Sequence, residues 1–333
     1  MRPDAKVLAI IVARIGDTLL VTPALRALKA ELPRGQLTVL AHPKRVEVLQ
    51  HLPFIDVLDG ITKNSAQARG LIRKNRYDLA LVWGHDAALV KYALRVSAEV
   101  IAFVQPEAAL NRRLAHAVPE PADAQHAVLH RAALLAPLNI ALSDLRLAYR
   151  VTDAERTCAK EWLSKLAPEQ PLIGLQIASF PTKSHRDWPI ENFAALVGRI
   201  AGAYKKARFI VLGDAVAARK AASLLVLQPN RIAVAAGKLS LRESAALISE
   251  LDLYVGVDTG PTHIAGALGV PLVAMYHCAY PGRNLAPLQN PRSAVLEHPL
   301  TGKSAAVTAS MADIPVDAVW QAASRLLAGK AVA

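Results

Sequence analysis

Short apolar runs alternate with longer stretches of helical apolar spacing along almost the whole chain, and few folds accept that alternation. Val7–Val12 reads as a buried strand, and Thr18–Leu32 follows with helical spacing. Leu37–Leu40, Ile55–Leu58, Leu79–Trp83 and Val100–Val104 repeat the strand signal, with helical stretches between most of them. Such runs suit strands covered on both faces, so the pattern predicts βαβ units and a parallel sheet. Residues 105–121 break it with three prolines and the pair Arg112–Arg113, reading as a long loop before a helix over about 122–135. A second series then gives strands at Leu172–Ile177, Arg208–Leu212, Ile232–Ala235, Leu253–Val257 and Pro271–Tyr276, with helices over 190–203, 214–227, 241–250 and 261–268. Two α/β doubly wound domains result, 1–160 and 161–333. The last helix, about 315–328, opens behind Pro315 and is able to pack back on the first domain.

At 333 residues the chain is long enough for two cores. Its 39 basic against 27 acidic side chains give +12, spread over both halves, which favours anionic partners such as phosphorylated substrates or an acidic membrane surface. No nucleic-acid module is recognisable, and the 5% aromatic content leaves little for base stacking, so nucleic acid is not an expected partner. Cys158 and Cys278 have no metal-ligand spacing and fit a reducing cytoplasm. The first residues lack the order of a signal peptide, and no apolar run approaches the ~18 residues that span a bilayer. A cytoplasmic location is expected, with membrane contact at most peripheral.

Open α/β sheets bind ligands outside the carboxyl ends of their strands, and three polar clusters fall there. The first is Arg14-Ile15-Gly16-Asp17-Thr18, after the first strand. Asp17 suits a helix cap, and equally a general base at the mouth of a cleft. The second is Asp258-Thr259-Gly260-Pro261-Thr262-His263, between a strand and an Ala/Gly-rich helix. Its hydroxyls, the missing side chain at Gly260 and the helix dipole suit a diphosphate. Asp-Thr-Gly also occurs in aspartic proteases, but the strand before it and the helix after it do not suit one. The third is Ser179–Pro189, with Lys183, His185 and Arg186; it suits a phosphate or an ordinary solvated loop.

These segments carry a resemblance. Ile15–Pro33, I-G-D-T-L-L-V-T-P-A-L-R-A-L-K-A-E-L-P, resembles the opening motif of glycosyltransferase family nine, the ADP-heptose–lipopolysaccharide heptosyltransferases. Val257–Tyr276, V-D-T-G-P-T-H-I-A-G-A-L-G-V-P-L-V-A-M-Y, is similar to the family's donor motif, and H-R-D-W-P-I-E-N-F within 178–196 to its basic-x-Trp-Pro motif. The order and rough spacing also match, so the likeness spans nearly the whole chain. It implies a GT-B fold, two Rossmann-like domains facing a central cleft, with the acceptor bound mainly by the first and the nucleotide sugar by the second. It implies an inverting transfer that uses no metal and no cofactor, from ADP-heptose to an inner-core lipopolysaccharide acceptor, an anionic glycolipid. Asp17 matches the catalytic aspartate; Ser179, Thr259 and Gly260 match positions that hold the diphosphate. Asp258 and His263 match the rest of the donor motif, Lys183 and Thr262 stand beside these positions, and Leu239 falls where the family packs the nucleobase.

Two departures stand out. Arg186 replaces the lysine usual two residues before Trp-Pro, keeping charge and adding bidentate geometry. The carboxylate often assigned to the ribose has no clear match near Asp214, which bears on nucleotide preference. On the acceptor side, Lys63–Arg76 holds five basic residues and no acidic one, with Arg69, Arg73 and Arg76 on one helical face. That face is either simply solvated or, with Arg112 and Arg113, a surface for acceptor carboxylates and phosphates and for the inner membrane's cytoplasmic face. Two other readings keep the architecture: the same family with another sugar or acceptor, and a GT-B nucleotide-sugar epimerase, in which the Asp17 motif would have no evident purpose.

Overall fold

The computed structural model describes residues 1–72, 76–121, 125–166, 170–304 and 306–329, and divides into two compact units, Met1–Arg150 and Val151–Ala333. In the first, β1 (Lys6–Ile11), β2 (Gln36–Ala41), β3 (Val57–Gly60), β4 (Tyr77–Trp83), β5 (Ser97–Phe103) and β6 (His116–Val118) form one sheet in the order β3-β2-β1-β4-β5-β6. Every pair is parallel. Alternate residues supply its two cores: Val7, Ala9 and Ile11 face one layer with Leu37, Val39, Leu79 and Leu81, while Leu8 and Ile10 face the other with Ala80 and Val82. Both faces are dry, which is why these strands read as unbroken apolar runs.

The second unit repeats the plan. Its strands are β7 (Leu172–Gln176), β8 (Arg208–Leu212), β9 (Ile232–Val234), β10 (Leu253–Val257), β11 (Leu272–Tyr276) and β12 (Ser293–Glu297), in the order β12-β11-β10-β7-β8-β9, again all parallel. Ile173, Leu175, Phe209, Val211, Val255 and Met275 pack on one face against Phe193, Leu196 and Ile200 of the helix Ile190–Ala203. The last helix, Val316–Ala328, lies in this same core through Val319, Ala322, Ala323 and Leu327, so its apolar stripe belongs to the second unit.

The units divide ten residues before the expected 160, because helix Asp153–Ser164 is tied into the second unit. Thr152 caps it in a box with Glu155, and Arg242 Nε and Nη2 each donate 2.7 Å bonds to the two Glu155 oxygens. Arg242, against desolvation and helped by Thr152, holds the Glu155 carboxyl down to about 2. A depressed acid stabilises above its unfolded pKa near 4.5, and that contribution is lost as pH falls through about 2. Glu155→Gln is therefore expected to lose about 2 kcal/mol at pH 7, below the range for fully buried pairs. Denaturant titrations should show that deficit narrowing toward pH 2.

Two strands lie outside the sequence expectation. β6 and β12 are both edge strands; β6 is only three residues long with no buried position, and β12 has just Ala294–Leu296 apolar between Ser293 and Glu297. Thr18–Leu32 is two helices, Ile15–Leu19 and Thr22–Ala30, because Pro23 restarts the helix at its first turn. The stretch over 122–135 contains the helix Ala127–Ala132 and a 3-10 turn, with 122–124 outside the described residues.

Candidate active site

In each sheet the strand order reverses between its first and fourth strands, and open α/β sheets offer a crevice beyond the carboxyl ends at that point. In the first unit, β1 leads through Arg14 into the helix Ile15–Leu19, where Asp17 is the third residue. No side chain caps that helix. Asp17 instead accepts a 2.6 Å bond from Arg131 Nη2 and is 42% exposed, whereas Thr18 beside it is buried and bonded to Arg14 O. Capping therefore does not account for this aspartate. Burial draws the Arg131 guanidinium below its ordinary pKa while Asp17 works the other way. The backbone oxygen of Arg131 accepts from Trp83 Nε1 at the end of β4, fixing the helix Ala127–Ala132 to the reversal point.

His130, beside Arg131, tilts against Phe103, and Glu120 lies 3.4 Å from His85 and 4.0 Å from His130. Burial lowers the His130 pKa most, Glu120 opposes it, and Arg131 and His85 add to the lowering, so the ring is neutral at pH 7. Sequence reasoning missed Arg131, the partner of Asp17, and the His130, His85 and Glu120 cluster next to Arg131. The one available signal was Arg131 itself, a lone cation in a mostly apolar helix.

The arginines grouped on the acceptor side fall apart in space. Arg69, in the helix Lys63–Ile72, bonds Asp59 at 3.1 Å and Gly60 O at 2.9 Å, at the end of edge strand β3. Arg112 and Arg113 are exposed on the loop between β5 and the opposite edge strand β6. Several strand spacings of ~4.8 Å separate these flanks, with Asp17 near the middle. Arg73 lies outside the described residues.

In the second unit, the pairing Gln176↔Gly256 brings the ends of β7 and β10 side by side, so their loops meet. Arg186 Nη1 donates to Asp258 Oδ2 at 2.5 Å, and His263 Nε2 stands 3.5 Å from Asp258 Oδ1. Asp258 is only 6% exposed. Burial works to raise its pKa, yet His263 and Arg186 outweigh burial and hold it below the ordinary range. Arg186 Nε and His263 Nδ1 are buried with no partner among the described residues, which leaves polar valence for a ligand. The loop between is pinned by Trp188, 1% exposed, whose Nε1 donates to Ile314 O at 3.0 Å.

Two expected ligand hydroxyls are spent internally. The Ser179 hydroxyl lies 2.6 Å from Asp187 Oδ1 and 2.7 Å from Lys183 O, so its single proton is committed within the loop. Thr262 is fully buried and donates to Val257 O at 2.6 Å, beside Tyr254 and Thr259. Both shape the turns. Thr259 and Gly260 remain partly exposed where the helix Gly260–Ala267 begins, and Leu239 is half-buried in the turn after β9. Asp214 caps the helix Ala215–Lys220, accepting from Val216 N and Ala217 N.

Lys183 meets no carboxylate among the described residues; Asp187 pairs instead with Lys220 at 2.6 Å. The Lys183 ammonium lies over the ring of Tyr280 and donates to its hydroxyl at 3.2 Å. Tyr280 was also missed from sequence, because it follows a different strand, β11.

This chemistry, a buried carboxylate–arginine–histidine cluster and a lysine held on Tyr280 with no described carboxylate partner, suits an anionic group. A family model described as glycosyltransferase family 9 (heptosyltransferase) matches residues 67–314. The chain belongs to glycosyltransferase family 9. Lipopolysaccharide heptosyltransferase 3 of Escherichia coli is 24% identical over 286 residues, covering 78% of this chain and 80% of that one. Among solved structures, the family 9 glycosyl transferase of Veillonella parvula superposes with a TM-score of 0.83 at 20% identity, over 99% of both chains. An E. coli ADP-heptose lipopolysaccharide heptosyltransferase II superposes with 0.78 at 19% identity, over 98% of this chain and 99% of the other. The family 9 chain thus has the GT-B fold and is a glycosyltransferase. Among its described residues no helix is long and apolar enough to cross a membrane.

Proposed function

We propose that the protein moves a heptose from ADP-heptose to an inner-core lipopolysaccharide acceptor, with inversion at the anomeric carbon and without a metal ion. The second unit binds the nucleotide sugar and the first the acceptor. The observation that carries the donor half is Arg186, held by buried Asp258 with its Nε unpartnered, beside an ammonium that no described carboxylate neutralises. Leu239 borders the base, and Thr259, Gly260 and His263 border the diphosphate. Names of similar proteins support the sugar and acceptor: an E. coli lipopolysaccharide heptosyltransferase 3, and an E. coli heptosyltransferase solved with ADP.

In the reaction Asp17, oriented by Arg131, takes the proton of the acceptor hydroxyl. The freed oxygen attacks the anomeric carbon from the face opposite the leaving group. The bond from that carbon to the diphosphate breaks, and ADP departs against Lys183 and Arg186, whose charges favour the developing dianion. Arg69, Arg112 and Arg113 flank Asp17 and meet acceptor anions at the cytoplasmic face of the membrane, where the protein binds peripherally.

Asp214 caps the helix Ala215–Lys220 through Oδ1 alone and is exposed, so its carboxylate can still meet the ribose; because ADP, UDP and GDP share that ribose, contacts to the base set nucleotide preference. Calorimetric titration with ADP, UDP and GDP tests this: ADP is expected to bind at least tenfold more tightly, about 1.4 kcal/mol. Preference for UDP would overturn the ADP-heptose donor while leaving the glycosyltransferase intact.

A further inference from the structure

Three side chains of the Ser179–Arg186 loop converge on one ring. The Arg186 guanidinium carbon lies 4.0 Å from the Tyr280 centroid, the Lys183 ammonium 5.3 Å from it, and the His185 ring centroid 6.0 Å from it. The Tyr280 hydroxyl additionally accepts from Lys183 at 3.2 Å. The ring is itself anchored. Tyr280 N donates to His277 O at 2.8 Å, and the fully buried His277 accepts from Ala279 N at 3.1 Å, with Nε2 3.0 Å from Ala309 O. A T-shaped contact at 5.4 Å sets His185 against His277 as well.

We propose that Tyr280 is a positioning residue of the leaving-group site, holding Lys183 and Arg186 in place without neutralising either; this rests on the donor-site reading above. The negative face of an aromatic ring attracts a cation yet carries no net charge. A carboxylate at this position would also fix the two cations, but it would compete with the incoming diphosphate for them. Tyr280 therefore does for Lys183 what Asp258 does for one edge of Arg186, at no cost in positive charge. Arg186 gains most: one Nη is taken by Asp258, one face by the ring, and the Nε edge stays unpartnered. Its planar guanidinium stacks where an ammonium would not, so Arg186 and Tyr280 work as a pair.

The test is calorimetric titration of the full-length protein with ADP and with AMP, which lacks the second phosphate. Tyr280→Leu is expected to weaken ADP roughly tenfold while AMP changes by less than about twofold, and Tyr280→Phe to stay within about threefold for ADP because the ring remains. Arg186→Lys should weaken ADP severalfold in the wild-type background and hardly further in the Tyr280→Leu background. If Tyr280→Leu does not fold, Tyr280→Met, which also removes the ring, replaces it in the cycle with the same outcomes expected. Equal losses for ADP and AMP would mean a merely structural ring and would overturn the assignment, as would additive effects in the cycle. Absence of ADP binding by the wild-type protein would instead overturn the donor-site reading on which it rests.

Discussion

Asp17→Asn is expected to slow heptosyl transfer by about 10²–10⁴-fold, the usual contribution of a positioned general base, with the affinity for ADP unchanged. Asparagine keeps the shape and a hydrogen-bond acceptor for Arg131, but it cannot take the acceptor's proton. The fold should tolerate the change. Asp17 is 42% exposed, and an ion pair that open to water contributes about 1 kcal/mol at most. Steady-state kinetics separate the outcomes: kcat falls, while donor KM and the thermal midpoint hold. Arg131→Met should give a milder loss, because the carboxylate survives but loses the 2.6 Å contact that orients it. Near wild-type turnover by Asp17→Asn would remove this residue from the chemistry.

Asp258→Ala is expected to damage both stability and donor binding. Arg186 is 13% exposed and His263 is 5% exposed, so deletion strands a nearly buried guanidinium without its carboxylate. Breaking one side of such a pair typically costs about 3–5 kcal/mol. For a unit of this size that lowers the thermal midpoint by roughly 10 °C. The pH dependence follows from the depressed Asp258 pKa: its stabilisation is complete above the ordinary value of 3.8 and is lost as pH falls through the lower folded value. Wild-type and Asp258→Asn proteins should thus differ most at neutral pH and converge in strong acid. Differential scanning calorimetry across pH checks this, and a gap that widened on acidification would contradict it.

Much of the architecture was legible because its physical cause is local. A strand buried on both faces must be apolar at successive positions, and Val7–Ile11, Leu79–Trp83 and Leu253–Val257 declare this without knowledge of their neighbours. The edge strands β6 and β12 do not, since half-open positions tolerate His116, Ser293 and Glu297. The turns after β1, β7 and β10 were equally visible, because polar residues abruptly follow apolar runs at carboxyl ends. Individual roles within them were not. Whether Thr262 or Ser179 offers its hydroxyl to a ligand depends on whether Val257 O, Lys183 O or Asp187 already claims it. Partners distant in sequence were invisible for the same reason: Arg131 is 114 residues from Asp17, and Tyr280 is 97 from Lys183. Spacing also suggested one basic acceptor surface, whereas strand order sends Arg69 and Arg112–Arg113 to opposite flanks.

Incubation of the purified protein with ADP-heptose and a lipopolysaccharide core acceptor, followed by NMR of the product, tests the proposed reaction most directly. The expected result is a heptosylated core with the anomeric configuration inverted relative to the donor, ADP released in equal amount, and no loss of rate with chelator. Transfer from a different nucleotide sugar with ADP-heptose left intact, or a product that retains the donor's configuration, would contradict it.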